Sequence, residues 1–321
     1  MYPLRFEPIY HYRIWGGNKL KHLLNKKGAT EHAGESWEIS GLEHNETRVA
    51  SGVFQGLTLR ELCDQHGPEL LGEQAYARYG NEFPLLIKFI DAAEPLSIQV
   101  HPDDTLSRKR HQASGKNEMW YIMQADKDAS LIMGFKEKLS PRTYERLLEK
   151  GAIESYLNEV PVREGDVFYI PSGRVHSIGK GILLAEIQQA SDITYRIYDF
   201  DRVDAASGKK RALHTAQALE AIDFDPLTEF QTTYTAQPNE KTSILDTVHF
   251  KTELITLDGK MSMDQSDEDA FKIWIGVQGN CFVQWEEEQF SLDRGETLLI
   301  PAALDRLTLS GQEAKILEVT L

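Results

Sequence analysis

Cysteine is nearly absent from this 321-residue chain, which has only Cys63 and Cys281. Two widely separated thiols exclude a disulfide framework and fit a reducing compartment, so a cytoplasmic location is expected. No apolar run approaches the roughly 18 residues of a membrane-spanning helix. The opening MYPLRFEPIYHYRIWGG lacks the apolar core of a signal peptide. Positive charge is scarce as well: 35 Lys and Arg stand against 50 Asp and Glu, a formal net charge of −15. Nucleic acid and anionic membranes are therefore poor partners. An anionic small substrate requires basic residues gathered into a pocket. The remainder, at 41% hydrophobic and 26% charged, is ordinary for a globular protein. The length suits about two domains.

Two segments repeat. MWYIMQ (119–124) and GDVFYIPSGRVH (165–176) are echoed by IWIGVQ (273–278) and GETLLIPAALDR (295–306). Each copy has a Trp-containing apolar run ending in Gln, then a Gly-acidic turn, an apolar strand and a proline. This predicts two related antiparallel β units of the cupin jelly-roll type, with proline ending a strand near the barrel mouth. Gln124 and Gln278 are 154 positions apart but Gly165 and Gly295 only 130, so the first copy carries 24 more residues. They fall in KEKLSPRTYERLLEKGAIESYLNEV, where Ser140-Pro141 reads as a helix start and Gly151 as a stop. A helical insertion is expected over about 137–160, another over 57–80 behind a Thr58/Glu61 capping box, and a helix within 212–222. The predicted architecture is mainly β, with two cupin-type barrels. Residues 1–225 would form a catalytic domain with helical insertions, and 226–321 a smaller degenerate domain.

Certain residue types are spaced as metal ligands. Gln99 and His101, two apart in LSIQVHPDD, share a face if that segment is a strand. Glu118 opens a second strand-like run, and His176 follows Pro171 by five residues. Singly, each histidine is commoner as an ordinary loop-end group and the glutamate as a solvated carboxylate. Together, two imidazoles, a carboxylate and an amide oxygen suit one divalent ion with a position left open. The repeat sets Lys272 opposite Glu118 and Arg306 opposite His176, so one metal per chain is expected. The other histidines, His249 among them, show no such pattern and read as surface or structural. Asp192 and Arg196 are four apart, and a structural salt bridge is an equal reading of that pair. Lys116, two residues before Glu118, reads alone as a solvated turn lysine, while a pocket would use its charge. Glu186 lies in an apolar run, where an unpaired carboxylate is costly. WGG (15–17) and GESWEIS (34–40) read as a turn and an alternating strand without chemistry of their own.

Taken in order, WGG, GESWEIS, PLLIKFIDAAEPLSIQVHPDD (84–104), GKNEMWYI (115–122), GDVFYIPSGRVHSIG (165–179) and EIQQASDITYRIYDFDR (186–202) resemble type I mannose-6-phosphate isomerase in its short bacterial form. The resemblance is dense over 1–225 and weaker beyond. It implies a cupin fold, one Zn²⁺ per chain and interconversion of mannose 6-phosphate and fructose 6-phosphate through an enediol(ate). Gln99, His101, Glu118 and His176 match that family's zinc ligands, and Arg196 its active-site arginine. Lys116 and Asp192 match positions tied to ring opening or proton transfer, and Ser97 a pocket-lining serine. Glu186 is a further candidate for the pocket wall. Lys116, Asp192, Glu186 and a metal-bound water all remain open as the base. A cupin isomerase for another phosphosugar, a non-catalytic sugar-phosphate sensor and an oxygen-using cupin are the competing readings.

Overall fold

A computed structural model of the chain describes residues 1–205 and 207–321. The architecture is mainly β and is organised around three larger sheets. The first has six strands in the order Val167–Ile170, Glu118–Ala125, Ile182–Gln189, Leu85–Ala92, Ile9–Gly17, Ala33–Ile39. A five-stranded sheet runs Tyr195–Tyr198, Ile98–Val100, His176–Ile178, Ser130–Phe135, Leu157–Pro161. The third is C-terminal, with Glu240–Asp246, Lys251–Asp264, Arg306–Thr320, Lys272–Trp285 and Glu288–Asp293 in order. There Thr297–Ile300 pairs with Lys272–Trp285 off the main path. Among the described residues no sheet closes on itself.

The first sheet is covered on both faces. Trp120, Ile122, Ile90 and Leu184 pack toward the five-stranded sheet with Leu131, Met133 and Ile178. On the opposite face Phe89, Tyr121 and Ala185 join Phe250, Leu254, Phe271 and Ile273 of the C-terminal segment in one apolar cluster. Double coverage explains why LLIKFIDA and ILLAEIQQ read as near-continuous apolar runs. Phe271 is fully buried, with its ring 5.0 Å from that of Phe83. Phe271→Ala is expected to lower the unfolding free energy by about 3–5 kcal/mol, measured by denaturant titration.

The internal repeat holds in strand register. Trp120 lies opposite Glu186 and Trp274 opposite Glu318; each indole N–H donates to that glutamate, at 2.9 and 2.7 Å. Both turns close alike: Gly165 N–H donates to Ile122 O, and Gly295 N–H to Gly276 O. Glu118 and Lys272 are the first residues of their strands, and His176 and Arg306 of theirs. The buried Lys272 ammonium sits 2.8 Å from Glu268, and Arg306 is exposed beside Asp264.

The helical insertions are where they were expected, with one correction. Helices Leu59–Leu71 and Glu73–Tyr79 occupy 57–80, and the Thr58/Glu61 capping box is formed. In 137–160 the helix is Pro141–Glu149, capped by the Ser140 side chain and followed by a 3₁₀ turn at Ile153–Tyr156. From Leu157 the segment is strand, because it completes the edge of the five-stranded sheet against Ser130–Phe135. The third expected helix is Thr215–Ala221. The Trp-Gly-Gly motif also gains a physical reason. A Cβ on Gly16 would stand 2.5 Å from the backbone nitrogen of Gly34, and one on Gly17 2.7 Å from Asp91 Oδ2. Only glycine permits that approach.

Candidate metal centre

Sheet register assembles the centre from distant segments. Gln99 is the middle residue of Ile98–Val100, flanked across the sheet by Arg196 on one side and His176 on the other. Directly opposed residues share a face, so these three side chains form a row. His101 follows the end of the Gln99 strand. Glu118, opposite Ile170 in the first sheet, comes from the facing layer. His101, Glu118 and His176 are each about 1% exposed or less, and their donor atoms all lie within 4.8 Å of one another.

The arrangement suits a cation. His101 Nδ1 is 3.0 Å from Ile193 O and His176 Nδ1 2.8 Å from Arg174 O. Each carbonyl fixes the proton on Nδ1, which turns the Nε2 lone pair inward. Both Nε2 atoms stand 3.4 Å from a Glu118 oxygen, yet His101 Nε2 and both Glu118 oxygens have no hydrogen-bond partner. The Lys116 ammonium, 3.3 Å from Oε2, offsets the charge but leaves both oxygens without a hydrogen bond, so their lone pairs stay available to a cation. Burial, with Lys116 nearby, lowers the His101 pKa to about 4, which keeps its ring neutral. Burial alone would raise the Glu118 pKa. The Lys116 ammonium and the two imidazoles outweigh it and hold the carboxyl well below its usual range. Two neutral imidazoles and one carboxylate are the donor set of a divalent transition metal.

Gln99 differs in one detail from expectation. It presents its amide nitrogen, 3.3 Å from His176 Nε2, while its oxygen accepts from Ser97 Oγ at 3.2 Å. Rotating the amide would bring its oxygen inward.

Above the triad lies a cavity of about 440 Å³. Every remaining sequence-predicted residue lines it: Ser97, Gln99, Lys116, Glu186, Asp192 and Arg196. Lys116 Nζ stands 3.3 Å from Glu118 Oε2, so Gln99 and Lys116 separate the cavity from the triad. Lys116 is buried, not the solvated turn lysine of the simpler reading. Burial lowers its pKa, but Glu118, Glu186 and Glu35 raise it further, for a net upward shift. These three carboxylates favour its ammonium form. Glu186 is held by Lys88 at 3.1 Å and by the Trp120 indole. Asp192 precedes the strand Tyr195–Tyr198 instead of lying on it, is exposed, and makes no salt bridge with Arg196 among the described residues. Arg196 donates to Ala212 O at 2.9 Å, and its Nε is buried without a partner.

Several lining residues were not singled out from sequence. Glu35 accepts two bonds from Arg13, both 2.9 Å, and one from Trp37. Lys88 lies over the Trp37 ring, 5.0 Å from its centroid. Arg211 lines the same cavity and is bound to Asp199. The alternation of GESWEIS places Glu35 and Trp37 on one face, and a lysine inside LLIKFI demands a buried partner; both signals were available.

Fold and site together define a mainly β protein with a buried His–Glu–His cluster that could hold a metal ion, beside a charged cavity. Residues 4–128 match the family model of the phosphomannose isomerase type I catalytic domain, and 240–320 that of the mannose-6-phosphate isomerase cupin domain. The chain is 35% identical to mannose-6-phosphate isomerase of Streptococcus mutans, over 96% of this chain and 95% of that one. A Bacillus subtilis mannose-6-phosphate isomerase is also 35% identical, over 96% of both chains. A crystal structure of mannose 6-phosphate isomerase from Bacillus subtilis superposes with a TM-score of 0.90 at 29% identity, covering both chains fully. The chain belongs to the type I mannose-6-phosphate isomerase family.

Proposed function

We propose that the chain is a zinc-dependent aldose–ketose isomerase interconverting mannose 6-phosphate and fructose 6-phosphate. The observation that carries this is the buried His101–Glu118–His176 cluster, with His101 Nε2 and both Glu118 oxygens unpartnered, set behind Gln99 and Lys116, which line a cavity that also holds Arg196. His101, Glu118, His176 and the rotated Gln99 amide would hold one Zn²⁺. Bound there, the ion supplies Lewis-acid polarisation of a sugar oxygen.

The chain's own groups account for the rest. Isomerisation moves a proton between C2 and C1 through an enediol(ate), and negative charge develops on the sugar oxygens. The permanent charge of Arg196 and the Lys116 ammonium on the cavity wall oppose that charge. Glu186 is already held by Lys88 and Trp120, which suits it to orienting substrate and not to carrying a proton. Asp192, with a free carboxylate on the cavity wall, is the candidate for proton transfer, and Ser97 for a sugar hydroxyl. In a chain of net charge −15, these local cations are what admit a phosphorylated sugar.

The repeated register also supports two jelly-roll units, 1–225 and 226–321, with metal only in the first, since Lys272 and Arg306 replace the ligands in the second. Buried free thiols at Cys63 and Cys281 fit a cytoplasmic setting. The deciding experiment is a coupled assay of mannose 6-phosphate conversion, with glucose 6-phosphate in parallel. Chelator should abolish the mannose 6-phosphate activity and zinc restore it. Absence of turnover with every divalent metal would replace the enzyme with a sensor.

A further inference from the structure

The loop before Glu118 is tied to the C-terminal segment through one side chain. Asn117 Oδ1 accepts from the backbone N–H of Ser172 at 3.0 Å and from the Tyr169 hydroxyl at 3.3 Å. A backbone N–H can only donate, so this contact fixes which way the amide faces. Asn117 Nδ2 then donates to Gln189 Oε1 at 2.7 Å and to His249 Nε2 at 3.1 Å. His249 lies in the turn joining Glu240–Asp246 to Lys251–Asp264, and Thr247 pins that turn by bonding the backbone of His249 and Phe250. Phe250, the next residue, is fully buried in the cluster shared with the first sheet.

Asn117 therefore binds three parts of the molecule at once: the strand holding Glu186, the segment after Ile170 that leads to His176, and the C-terminal sheet. Its own chain neighbours are Lys116 and Glu118. We propose that His249 is a positioning residue, through which the C-terminal sheet holds the Lys116–Glu118 segment in the geometry the metal centre requires. This rests on the zinc-isomerase reading and assigns the metal-free C-terminal sheet a role in the chemistry. The ring acts as an acceptor, in its neutral form, with the proton on Nδ1. Burial lowers the His249 pKa, which favours that form.

The test compares His249→Leu, which removes the acceptor at similar volume, with His249→Gln, which can restore one. Amide hydrogen exchange of 112–119 is followed in metal-free protein, and zinc affinity, kcat and KM in the holoenzyme. His249→Leu should exchange faster over 112–119 alone, bind zinc about tenfold more weakly and lose kcat with KM within about twofold, while His249→Gln recovers most of each. His249→Ala carries the same readouts if the leucine variant does not fold. Wild-type exchange at 112–119 together with wild-type zinc affinity would overturn the proposal. So would faster exchange throughout the C-terminal sheet with zinc affinity unchanged, which marks a structural role only. A wild-type protein that neither binds zinc nor isomerises mannose 6-phosphate defeats the functional reading instead, and the exchange comparison in metal-free protein still reports on the tether.

Discussion

His176→Ala is expected to fold, to retain less than about a tenth of its metal, and to lose at least about a hundredfold in isomerase activity. The expectation follows from what remains. His101 keeps its Nδ1 on Ile193 O and so its orientation, and Glu118 keeps the Lys116 ammonium at 3.3 Å. That ion pair compensates the buried carboxylate, so the variant does not inherit an isolated charge and the fold survives. Two fixed donors and a mobile amide are too few to hold a divalent ion against dialysis. Losing the ring also removes the His176 contact of Gln99, which frees the amide to turn toward Ser97 alone. The measurement is metal content per chain by elemental analysis, with circular dichroism to confirm folding. A folded variant with a full complement of metal would show that His176 is not a ligand.

The sequence carried more of the site than of its surroundings, and the reason lies in range. The ligand types announce themselves through local context: Gln99 and His101 by a spacing of two, Glu118 and His176 by their places in the repeated Trp run and Gly-acidic-Pro unit. That the motifs repeat was legible because register follows strand and turn patterns, and the Trp120–Glu186 and Trp274–Glu318 bonds stand at matching places in the two copies. Arg13 and Arg211 gave no local signal. Arg13 reaches the cavity because its guanidinium pairs with Glu35, and Arg211 because it braces Asp199. His249 reads from sequence as surface or structural for the same reason, since 132 residues separate it from Asn117 and only the folded core brings them together. The strand at Leu157–Pro161 was read as part of a helical insertion because its apolar residues are too few to show alternation. Pairing with Ser130–Phe135 decides it.

Arg196→Ala separates chemistry from metal binding. Arg196 sits directly opposite Gln99 in register, on the side away from His176, and no atom of it belongs to the triad. Zinc content should therefore stay at the wild-type level. Turnover should fall by about 10²–10³-fold or more, the usual loss when one preorganised group facing a developing oxyanion is removed. No neighbour stands ready to replace it. The Arg211 guanidinium is bound through two nitrogens to Asp199, and Arg13 through two to Glu35. Arg196 itself is anchored by one nitrogen on Ala212 O, and the backbone around it is held by two bonds with His214. Its fork is thus presented at a fixed place with donors to spare. Arg196→Lys keeps the charge but not the planar fork, and should recover only part of the rate. If the fork grips substrate without entering the proton-transfer step, KM rises and kcat holds. If it stabilises the enediolate, kcat falls at saturating sugar. The second pattern is expected, and near wild-type turnover in the alanine variant with zinc bound would remove Arg196 from the mechanism.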